Sequence, residues 1–468
     1  MRSARRADAV RRAAVALAVL AATALAAIVT PAASQGAVLA APGEAPRVLA
    51  AAADGDTVIL AAGRHAGPLA IGRRLTLIGA PGAVVDGGGR GTVLDVAADG
   101  AVVRDLAVRG SGPRVLTVDA AVRVRGRSVR LERVRIADAL YGINAERATG
   151  LVVADCRLAG RVAPGDESGS GNGIHLWYTA GATVERDTVE GFLDGIYLSF
   201  TEGTHIEASV LERCGRYGLH TMYCPSGRLI ANRMSHNVAG CAIMFSNHLT
   251  IERNEFSHNR GPRTYGILLR DCSDGAFVDN RLVDNTVAVF MDNSNRNLLR
   301  GNLVEDCGWG ALLFSSCDGN TFVGNAFIND DYPVALDMRF TANRFDDGHA
   351  GNYWSDNAPY DLDGDGVSDV PYSPVSTFAF VSKQYPDLAI LARSPAVAAL
   401  TVAERVVPAL RPSEAVDRFP RVSPPRVVFA ARADRPADRA RPAWGAAAGF
   451  AALSLAGIAG LARGRSAA

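Results

Sequence analysis

The amino-acid sequence predicts an all-β protein built as a parallel β-helix, a solenoid of stacked coils. A repeat close to 22 residues runs through the body, its short β-branched runs show no helical spacing, and glycine is abundant at 48 of 468 residues. Each coil of such a solenoid contributes two or three strands that stack about 4.8 Å above the last. Leucine-rich repeats have a similar period, but their regularly spaced leucines are absent here. We expect about ten coils between residues 45 and 345.

The composition excludes some classes of function. With 49 Lys and Arg against 48 Asp and Glu, the net charge of +1 leaves no basic excess to neutralise phosphates, so we expect no nucleic-acid partner. A hydrophobic content of 48% is too high for a chain disordered throughout. Subtracting the +4 of residues 1–35 and the +7 of residues 393–468 leaves about −10 on the body, which favours cations.

Residues 1–35 have the features of an export signal. A basic start is followed by an apolar, uncharged stretch at 13–29 and by small residues at 30–34 that offer a cleavage site. The basic residues are Arg2, Arg5, Arg6, Arg11 and Arg12. A retained membrane anchor is the alternative interpretation. We expect an exported protein whose β-helix domain occupies residues 36–392, its first coil starting near residue 54.

Two series of residues mark the repeat. The first is a small polar residue at a turn, spaced by 22, 23, 22, 26, 22 and 23 residues: Asp187, Ser209, Asn232, Asn254, Asn280, Asn302 and Asn325. The second begins the next strand: Gly173, Gly195, Gly218, Gly240, Gly266, Val287, Gly310 and Pro333. An insertion near residues 261–264 explains the 26-residue step. Because amide side chains bond their neighbours in adjacent coils, the first series predicts an internal ladder.

The strand that follows each glycine carries unusual side chains on one face. The first and third residues after the glycine are apolar and face inward, since strand side chains alternate, so the second, fourth and fifth face outward. The histidines and methionines of this outward stripe are His175, His220, Met222 and Met244. Its other members are Trp177, Tyr178, Tyr197, Phe200, Tyr223, Phe245 and Met291. An exposed apolar stripe of this kind is atypical of a solvated face.

Two interpretations of the outward stripe stay open at this point. Thioethers and imidazole are soft, neutral donors that suit Cu(I), and Met222 and Met244 are expected one coil apart with His220 beside them. Alternatively, the stripe docks a partner protein and the methionines serve as adaptable contact surface.

A third alternative is an enzyme. Asp271 is expected above Asp292, and two carboxylates about 5 Å apart suit a retaining glycosidase. Lyases, hydrolases and epimerases that act on polysaccharides share this solenoid, so the fold alone does not decide. The thioethers, imidazoles and aromatic rings of the outward stripe favour a protein without catalytic activity.

The seven cysteines predict no redox or zinc motif. An odd number leaves at least one unpaired, and no CxxC pair exists. Cys224 and Cys272 are expected two coils apart, about 9.6 Å, which is too far for a disulfide. Cys241 is expected in the core.

An acidic loop closes the body within a cap at residues 351–372. Asp361, Asp363, Asp365 and Asp369 are separated by short steps, with a glycine at the sixth position of the loop, as in calcium-binding loops. The twelfth position is Tyr372 rather than glutamate, so this is not a standard EF-hand. The alternatives are a structural Ca²⁺ site and a hydrogen-bonded acidic turn.

The C-terminal residues change composition. Residues 393–442 are rich in proline and arginine, as in a linker. Residues 443–462 carry no charge and are long enough to span a bilayer, but their alanine and glycine content makes insertion marginal. A membrane anchor and a peripheral helix are both open interpretations.

Several motifs together resemble the NosD family of maturation proteins for nitrous-oxide reductase. Near the C-terminus the resemblance lies in the sequence from Gly351 to Asp356, in Tyr360 to Gly366 and in Val370-Pro371-Tyr372. Earlier matches are Gly171 to Trp177, Asp194 to Ser199, Tyr217 to His220 with Met222, Met244 to Ser246, and Phe256 to Gly261. The resemblance covers roughly residues 45–390.

The resemblance implies a right-handed β-helix in the periplasm that partners an inner-membrane ABC transporter with ATPase and permease subunits. It further implies a role in supplying the copper–sulfur centre of nitrous-oxide reductase, with a copper chaperone lipoprotein as another partner. The family's matching positions include His175, His220, Met222 and Met244. The sequence contains no Walker motif, so the ATPase must be another chain.

Overall fold

Three parallel sheets wind into a β-helix in the computed structural model, which describes residues 36–425 apart from 169, 315, 338–340, 392–393 and 408–414. The fold class predicted from the sequence is confirmed. Each coil visits sheets A, B and C in turn, and every strand pairs in parallel with the strand one coil away. The predicted signal at 1–35 and the predicted helix at 443–462 lie outside the described residues.

Sheet A consists of Ala37–Ala40, Thr57–Leu60, Thr76–Gly79, Val102–Arg104, Arg130–Glu132, Val152–Ala154, Thr183–Glu185, His205–Glu207, Arg228–Ile230, Thr250–Glu252, Ala276–Val278, Leu298–Arg300 and Thr321–Val323. Sheet B consists of Gly63–Ala66, Ala83–Asp86, Ala107–Arg109, Arg135–Ala137, Arg157–Ala159, Thr188–Glu190, Val210–Glu212, Arg233–Ser235, Glu255–Ser257, Arg281–Val283, Leu303–Glu305, Ala326–Ile328 and Tyr353–Trp354. Sheet C consists of Leu69–Ile71, Leu94–Val96, Ala120–Val124, Tyr141–Glu146, Asn172–Trp177, Asp194–Ser199, Tyr217–Met222, Ala239–Met244, Tyr265–Arg270, Val287–Asp292, Trp309–Leu313 and Tyr332–Leu336.

The coils number more than the ten expected, since the sheets have 13, 12 and 13 strands in the described part of the chain. The additional coils lie before residue 172, where the spacing is irregular. Thr57 pairs with Thr76, 19 residues on, whereas Val152 pairs with Thr183, 31 residues on. Coils of such unequal length do not show a 22-residue period, although their strands stack as closely as the later ones.

The predicted polar ladder is confirmed. Each backbone N–H of the series donates to the side-chain oxygen one coil on, as Asn254 does to Asn280 at 3.0 Å and Asn280 to Asn302 at 2.9 Å. The ladder continues beyond the predicted end at Asn325 to Asn352, at 3.0 Å. Its side chains are buried, so these bonds satisfy backbone groups that water cannot reach.

In the strand Val287–Asp292 the register differs from the prediction by one residue. Val287 pairs with Tyr265, so Ala288 rather than Val287 occupies the glycine position of its coil. A Cβ on Gly266 would lie 2.7 Å from the Ala288 carbonyl oxygen, which shows how closely the coils approach there. The sequence prediction aligned the coils by their glycines. Because the next coil has alanine at this position, the prediction aligned it one residue too early.

Short segments cover both ends of the solenoid. Helix α1, Ala45–Ala51, buries Ala45 and Leu49 in the main core at the N-terminal end. At the other end, helix α2, Thr377–Gln384, contacts the last strand of sheet C, where the rings of Phe378 and Tyr332 lie 5.7 Å apart. A 3-10 helix at Pro386–Leu391 and helix α3, Pro395–Val406, follow. Within the described ranges, no helix is long and apolar enough to cross a membrane.

Part of the predicted linker at 393–442 is folded onto the solenoid. Asp417 accepts hydrogen bonds from the backbone N–H of Asn352 at 2.7 Å and from the indole N–H of Trp354 at 2.8 Å. Arg418 pairs with Asp346, and its backbone neighbour Phe419 accepts from the Gly351 N–H at 2.9 Å. The prediction of a linker therefore does not hold for this segment, because its arginine and acidic residues bind the last coil.

Several of the longer loops of the solenoid share one corner. Residues 110–119, 160–171 and 258–264 all connect a strand of sheet B to the following strand of sheet C. Leu116, in the first of these loops, is fully exposed. Insertions at this corner lengthen a coil without disturbing the pairing on either side of it.

Candidate functional site

The outward face of sheet C carries the predicted stripe, and four consecutive coils hold its donor groups. The strands involved are Asn172–Trp177, Asp194–Ser199, Tyr217–Met222 and Ala239–Met244. His175, Tyr197, His220 and Ala242 are register partners in successive coils, and so are Met222 and Met244. Adjacent partners are about 4.8 Å apart, so both methionine side chains start from neighbouring points of the sheet.

His220 is held by a buried ion pair. Its Nδ1 lies 3.0 Å from Oδ2 of Asp194, and Arg216 donates to both oxygens of Asp194 at 3.0 and 2.6 Å. Burial alone would raise the pKa of Asp194, but hydrogen bonds from His220 and Arg216 outweigh it and lower that pKa. The ionised carboxylate accepts a hydrogen bond from Nδ1–H, which orients the ring and leaves Nε2 as the nitrogen that can bind a ligand.

The Nε2 atom of His220 is buried and has no hydrogen-bond partner among the described residues. A buried polar atom without a partner costs about 1–3 kcal/mol, so its presence calls for an explanation. A histidine that donates one N–H to a carboxylate and leaves the other nitrogen free has the arrangement of a metal ligand.

His175 offers a second neutral imidazole. Its ring lies between those of Tyr141 and Tyr197, at centroid distances of 6.0 and 5.0 Å. Burial lowers the pKa of His175 to about 4, so the ring is uncharged at neutral pH. Its Nδ1 is also buried without a partner in the described structure.

Tyr197 connects the histidines to the methionines. Its ring lies 4.7 Å from that of His220, and its hydroxyl donates to Sδ of Met222 at 3.4 Å. Met222 and Met244 are partly exposed at the ends of their strands. Neutral imidazoles and thioethers fit Cu(I), which prefers soft donors.

An aromatic ladder borders these donors. Tyr178, Phe200, Tyr223 and Phe245 stack face to face, with centroids 4.8 to 4.9 Å apart and planes within 5 to 11°. The spacing equals the coil repeat, because all four occupy the same position in successive coils. Between 38 and 46% of each residue is exposed, so the ladder presents a continuous ring surface. Trp177 extends it edge-on to Tyr178 at 5.0 Å.

All four ladder residues adopt a left-handed backbone, with φ between 50 and 57°. Bulky residues rarely adopt this conformation, and it costs about 1–2 kcal/mol per residue. Ring stacking returns about 0.5–1.5 kcal/mol per pair, which offsets part of that cost.

Two predictions for this face are wrong, both because of the register after residue 287. Met291 is a register partner of Leu269 and is fully buried in the core, so it does not belong to the outward stripe. Asp292 aligns with Arg270 and pairs with it at 3.3 Å. The side chain above Asp271 is Asn293, which donates to it. Asp271 and Asp292 therefore do not form the stacked carboxylate pair expected of a glycosidase.

Sequence reasoning missed the residues that orient His220. Asp194 and Arg216 precede the glycines of their coils and meet only across neighbouring coils. The sequence did offer one signal. Asp194 occupies a register position that holds a tyrosine in later coils, Tyr217 and Tyr265.

Sequence reasoning also missed an apolar patch on the same face. Ala242, Leu268, Val287 and Phe290 are buried there, with partly buried aromatic neighbours. It continues the outward stripe toward the C-terminal coils.

The cysteines do not contribute donors to the site. All seven are buried in the described structure, and Cys241 lies in the core as expected. Burial raises the pKa of Cys272 and of Cys307 to about 12, so both thiols stay protonated. Thiolate coordination is thus disfavoured relative to the thioethers.

The acidic loop brings together three of the four predicted calcium ligands. One oxygen each from Asp361, Asp363 and Asp365 lies within 4.8 Å of the others. Asp369 instead accepts the Leu362 N–H at 2.7 Å. Backbone N–H groups also donate to the other three carboxylates, as in a hydrogen-bonded acidic turn. A Ca²⁺ site in this loop stays a prediction.

Comparison with known proteins identifies the family. The model of a family described as periplasmic copper-binding protein (NosD) matches residues 158–359, which include all four candidate copper donors. A probable ABC transporter binding protein NosD from Pseudomonas aeruginosa is 31% identical over 394 residues, covering 79% of this chain and 89% of that protein. The chain belongs to the NosD family. A NosD of the same description from Stutzerimonas stutzeri is 28% identical, covering 77% of this chain and 85% of that protein.

Solved structures support the fold of this NosD family member. The A-module of the mannuronan C-5 epimerase AlgE4 from Azotobacter vinelandii superposes with a TM-score of 0.51, at 15% identity, over 62% of this chain and 91% of that module. At this level of identity the similarity concerns the β-helix alone.

Proposed function

We propose that this protein is a periplasmic assembly factor that binds Cu(I) on the outward face of sheet C and presents it during maturation of nitrous-oxide reductase. The observation that carries the proposal is His220, whose Nδ1 is held by Asp194 and whose buried Nε2 has no hydrogen-bond partner in the described structure, two residues before Met222 on the same strand. Family membership supports the copper and the periplasmic location, since the family is described by both.

An inner-membrane ABC transporter is the first proposed partner, because the two NosD relatives are named as ABC transporter binding proteins. Its ATPase and permease subunits would supply the ATP-driven motion. A copper chaperone lipoprotein and the reductase itself are the further proposed partners, as donor and acceptor of the ion. Tyr178, Phe200, Tyr223 and Phe245 support docking next to the copper donors, because rigid, exposed aromatic rings are frequent anchors of protein interfaces.

The first experiment is an anaerobic Cu(I) titration of the full chain against a competing chelator. Wild type is expected to bind tightly and stoichiometrically, and Met222→Ala/Met244→Ala to bind at least tenfold more weakly. Met291→Leu is the matched control, because it removes a buried thioether and is expected to keep wild-type affinity. Equal affinity in wild type and the double variant would reject a copper site on this face.

A second experiment separates copper binding from docking. Phe200→Ala interrupts the aromatic ladder but leaves the thioethers and His220 in place. The isolated variant is expected to bind Cu(I) like wild type, whereas copper content of the reductase matured in cells falls. Normal reductase copper in this variant would remove the docking role from the proposal.

The alternative of a polysaccharide-active enzyme has less support. Asp271 and Asp292 are engaged by Asn293 and Arg270, and the solved epimerase resembles this chain in fold alone. Asp271→Ala and Asp292→Ala are expected to keep full activity in reductase maturation. Loss of activity in either variant at unchanged Cu(I) affinity would reopen the enzymatic hypothesis.

A further inference from the structure

Two neighbouring histidines lie at the corner between sheets B and C. His236 and His258 each follow a strand of sheet B, Arg233–Ser235 and Glu255–Ser257, and they occupy the same position in successive coils. Their ring centroids are 5.2 Å apart and both residues are exposed. Ligand nitrogens lie at the ring edge, so a turn of the exposed His236 ring can direct one of its nitrogens toward an ion bound by His258.

The next coil holds one of these rings in a defined orientation. Nδ1 of His258 lies 2.7 Å from Oδ2 of Asp284, and Arg260 donates to the other oxygen of Asp284 at 2.7 Å. Arg260 also donates to the Asp306 carbonyl oxygen at 2.8 Å, which fixes the guanidinium. Because Nδ1–H donates to Asp284, Nε2 is the nitrogen of His258 that can bind a metal.

We propose that His236 and His258 form a second metal site, which takes a divalent transition-metal ion and binds Cu(II) most tightly. Imidazole pairs suit divalent Cu, Ni and Zn, and Cu²⁺ leads the affinity order for nitrogen ligands. Histidines that bind metals usually donate their other ring N–H to a carboxylate or carbonyl oxygen, as His258 does to Asp284. Water completes the coordination, since the corner is open to solvent.

This site differs from the proposed Cu(I) site in its donors. It presents imidazoles alone, because the sulfur of the neighbouring Met234 is buried in the core. The inference does not depend on the proposed function, because it rests on other residues and another oxidation state.

The test is a titration of the full chain with Cu(II) alone, in a buffer containing glycine as a weak competitor, followed by electron paramagnetic resonance. Wild type is expected to bind one equivalent with hyperfine coupling to two imidazole nitrogens. His236→Gln and His258→Gln are each expected to weaken binding at least tenfold and to remove that coupling. Asp284→Asn, which disturbs only the positioning residue, is expected to weaken it about 10–100-fold.

Controls make the outcome decisive. His248→Gln changes another exposed histidine with the same left-handed backbone and is expected to leave the spectrum unchanged. Met222→Ala/Met244→Ala is expected to keep the Cu(II) signal even where Cu(I) binding is lost. An unchanged affinity and spectrum in His236→Gln/His258→Gln, or loss of the signal in the methionine variant, would overturn the inference. All the substituted histidines are exposed, so thermal unfolding is expected to stay close to wild type.

Discussion

At the scale of single residues, the chemistry of the candidate site depends on imidazoles that keep one nitrogen for a metal. Burial between two tyrosine rings keeps His175 uncharged, whereas Asp194 orients His220 by accepting a hydrogen bond from its Nδ1. A protonated histidine has no lone pair for a metal, so the burial of His175 keeps that donor available at neutral pH.

Asp194→Asn is expected to weaken Cu(I) binding about 10–100-fold, because His220 loses the carboxylate that orients it. The measurement is the anaerobic chelator competition, with thermal unfolding recorded in parallel since Arg216 also loses its partner. Asp271→Asn, a carboxylate on the same face without contact to His220, is the control. Wild-type affinity in Asp194→Asn would show that the ion pair serves stability alone.

His175 predicts a pH dependence of stability. Burial lowers its pKa to about 4, whereas in the unfolded chain it titrates near 6.5, so the unfolded state binds the proton first. The free energy of unfolding therefore falls as the pH drops from 6.5 to 4, by up to about 3 kcal/mol. Urea denaturation of metal-free protein at several pH values measures this.

His175→Gln removes the titrating group and is expected to flatten the pH dependence in that window. His248→Gln, at an exposed position, is expected to keep the wild-type slope. The same slope in His175→Gln and wild type would assign the acid sensitivity to other groups.

At the scale of strands and turns, the asparagine ladder sets the register of the coils. The Asn280 side chain accepts from the backbone N–H of Asn254 and donates to the Ile251 carbonyl oxygen and to Asn302. Each asparagine from Asn232 to Asn325 therefore satisfies a buried donor in one coil and a buried acceptor in another.

Asn280→Ala is expected to lower the free energy of unfolding by about 2–4 kcal/mol, because it leaves buried backbone groups without partners. Asn293→Ala, which removes an exposed asparagine bonded to Asp271, is expected to cost less than about 1 kcal/mol. Chemical denaturation of both variants makes the comparison. A similar loss of unfolding free energy in the two variants would mean that the ladder stabilises the protein no more than surface hydrogen bonds do.

The sequence predicted these elements where the repeat is regular and failed where it is not. The fold class, the ladder and the outward position of His220 and Met222 follow from a period of 22 or 23 residues. Met291 was placed on the wrong face because one coil was misaligned by one residue. In that coil Ala288 replaces the glycine by which the coils were aligned. Asp194 and Arg216 were missed because pairing between coils has no signature along the chain.

At the scale of the whole molecule, each coil contacts mainly its neighbours, so the two ends need partners of their own. Residues near 417 fill this role at the C-terminal end, although their composition resembles a linker. Only a structure reveals such a contact, since Asp417 lies 65 residues from the Asn352 backbone that it binds.

Asp417→Ala is expected to increase hydrogen exchange at residues 351–354 and 415–422, while the central coils keep their protection. The reason is that Asn352, Trp354 and Phe419 lose a common buried acceptor. Asp363→Ala, in the exposed acidic loop, is the control. Uniform loss of protection along the chain would instead show that the solenoid unfolds as one cooperative unit.

The corner between sheets B and C, where these long loops lie, can accept insertions during evolution. Lengthening a connection at residues 110–119, 160–171 or 258–264 leaves all three sheets paired, and each of these loops leads directly into a strand of sheet C. Evolution can therefore vary recognition by insertion at this corner while the donor atoms stay where they are. The same property recommends the corner for a fluorophore or an affinity tag in mechanistic work.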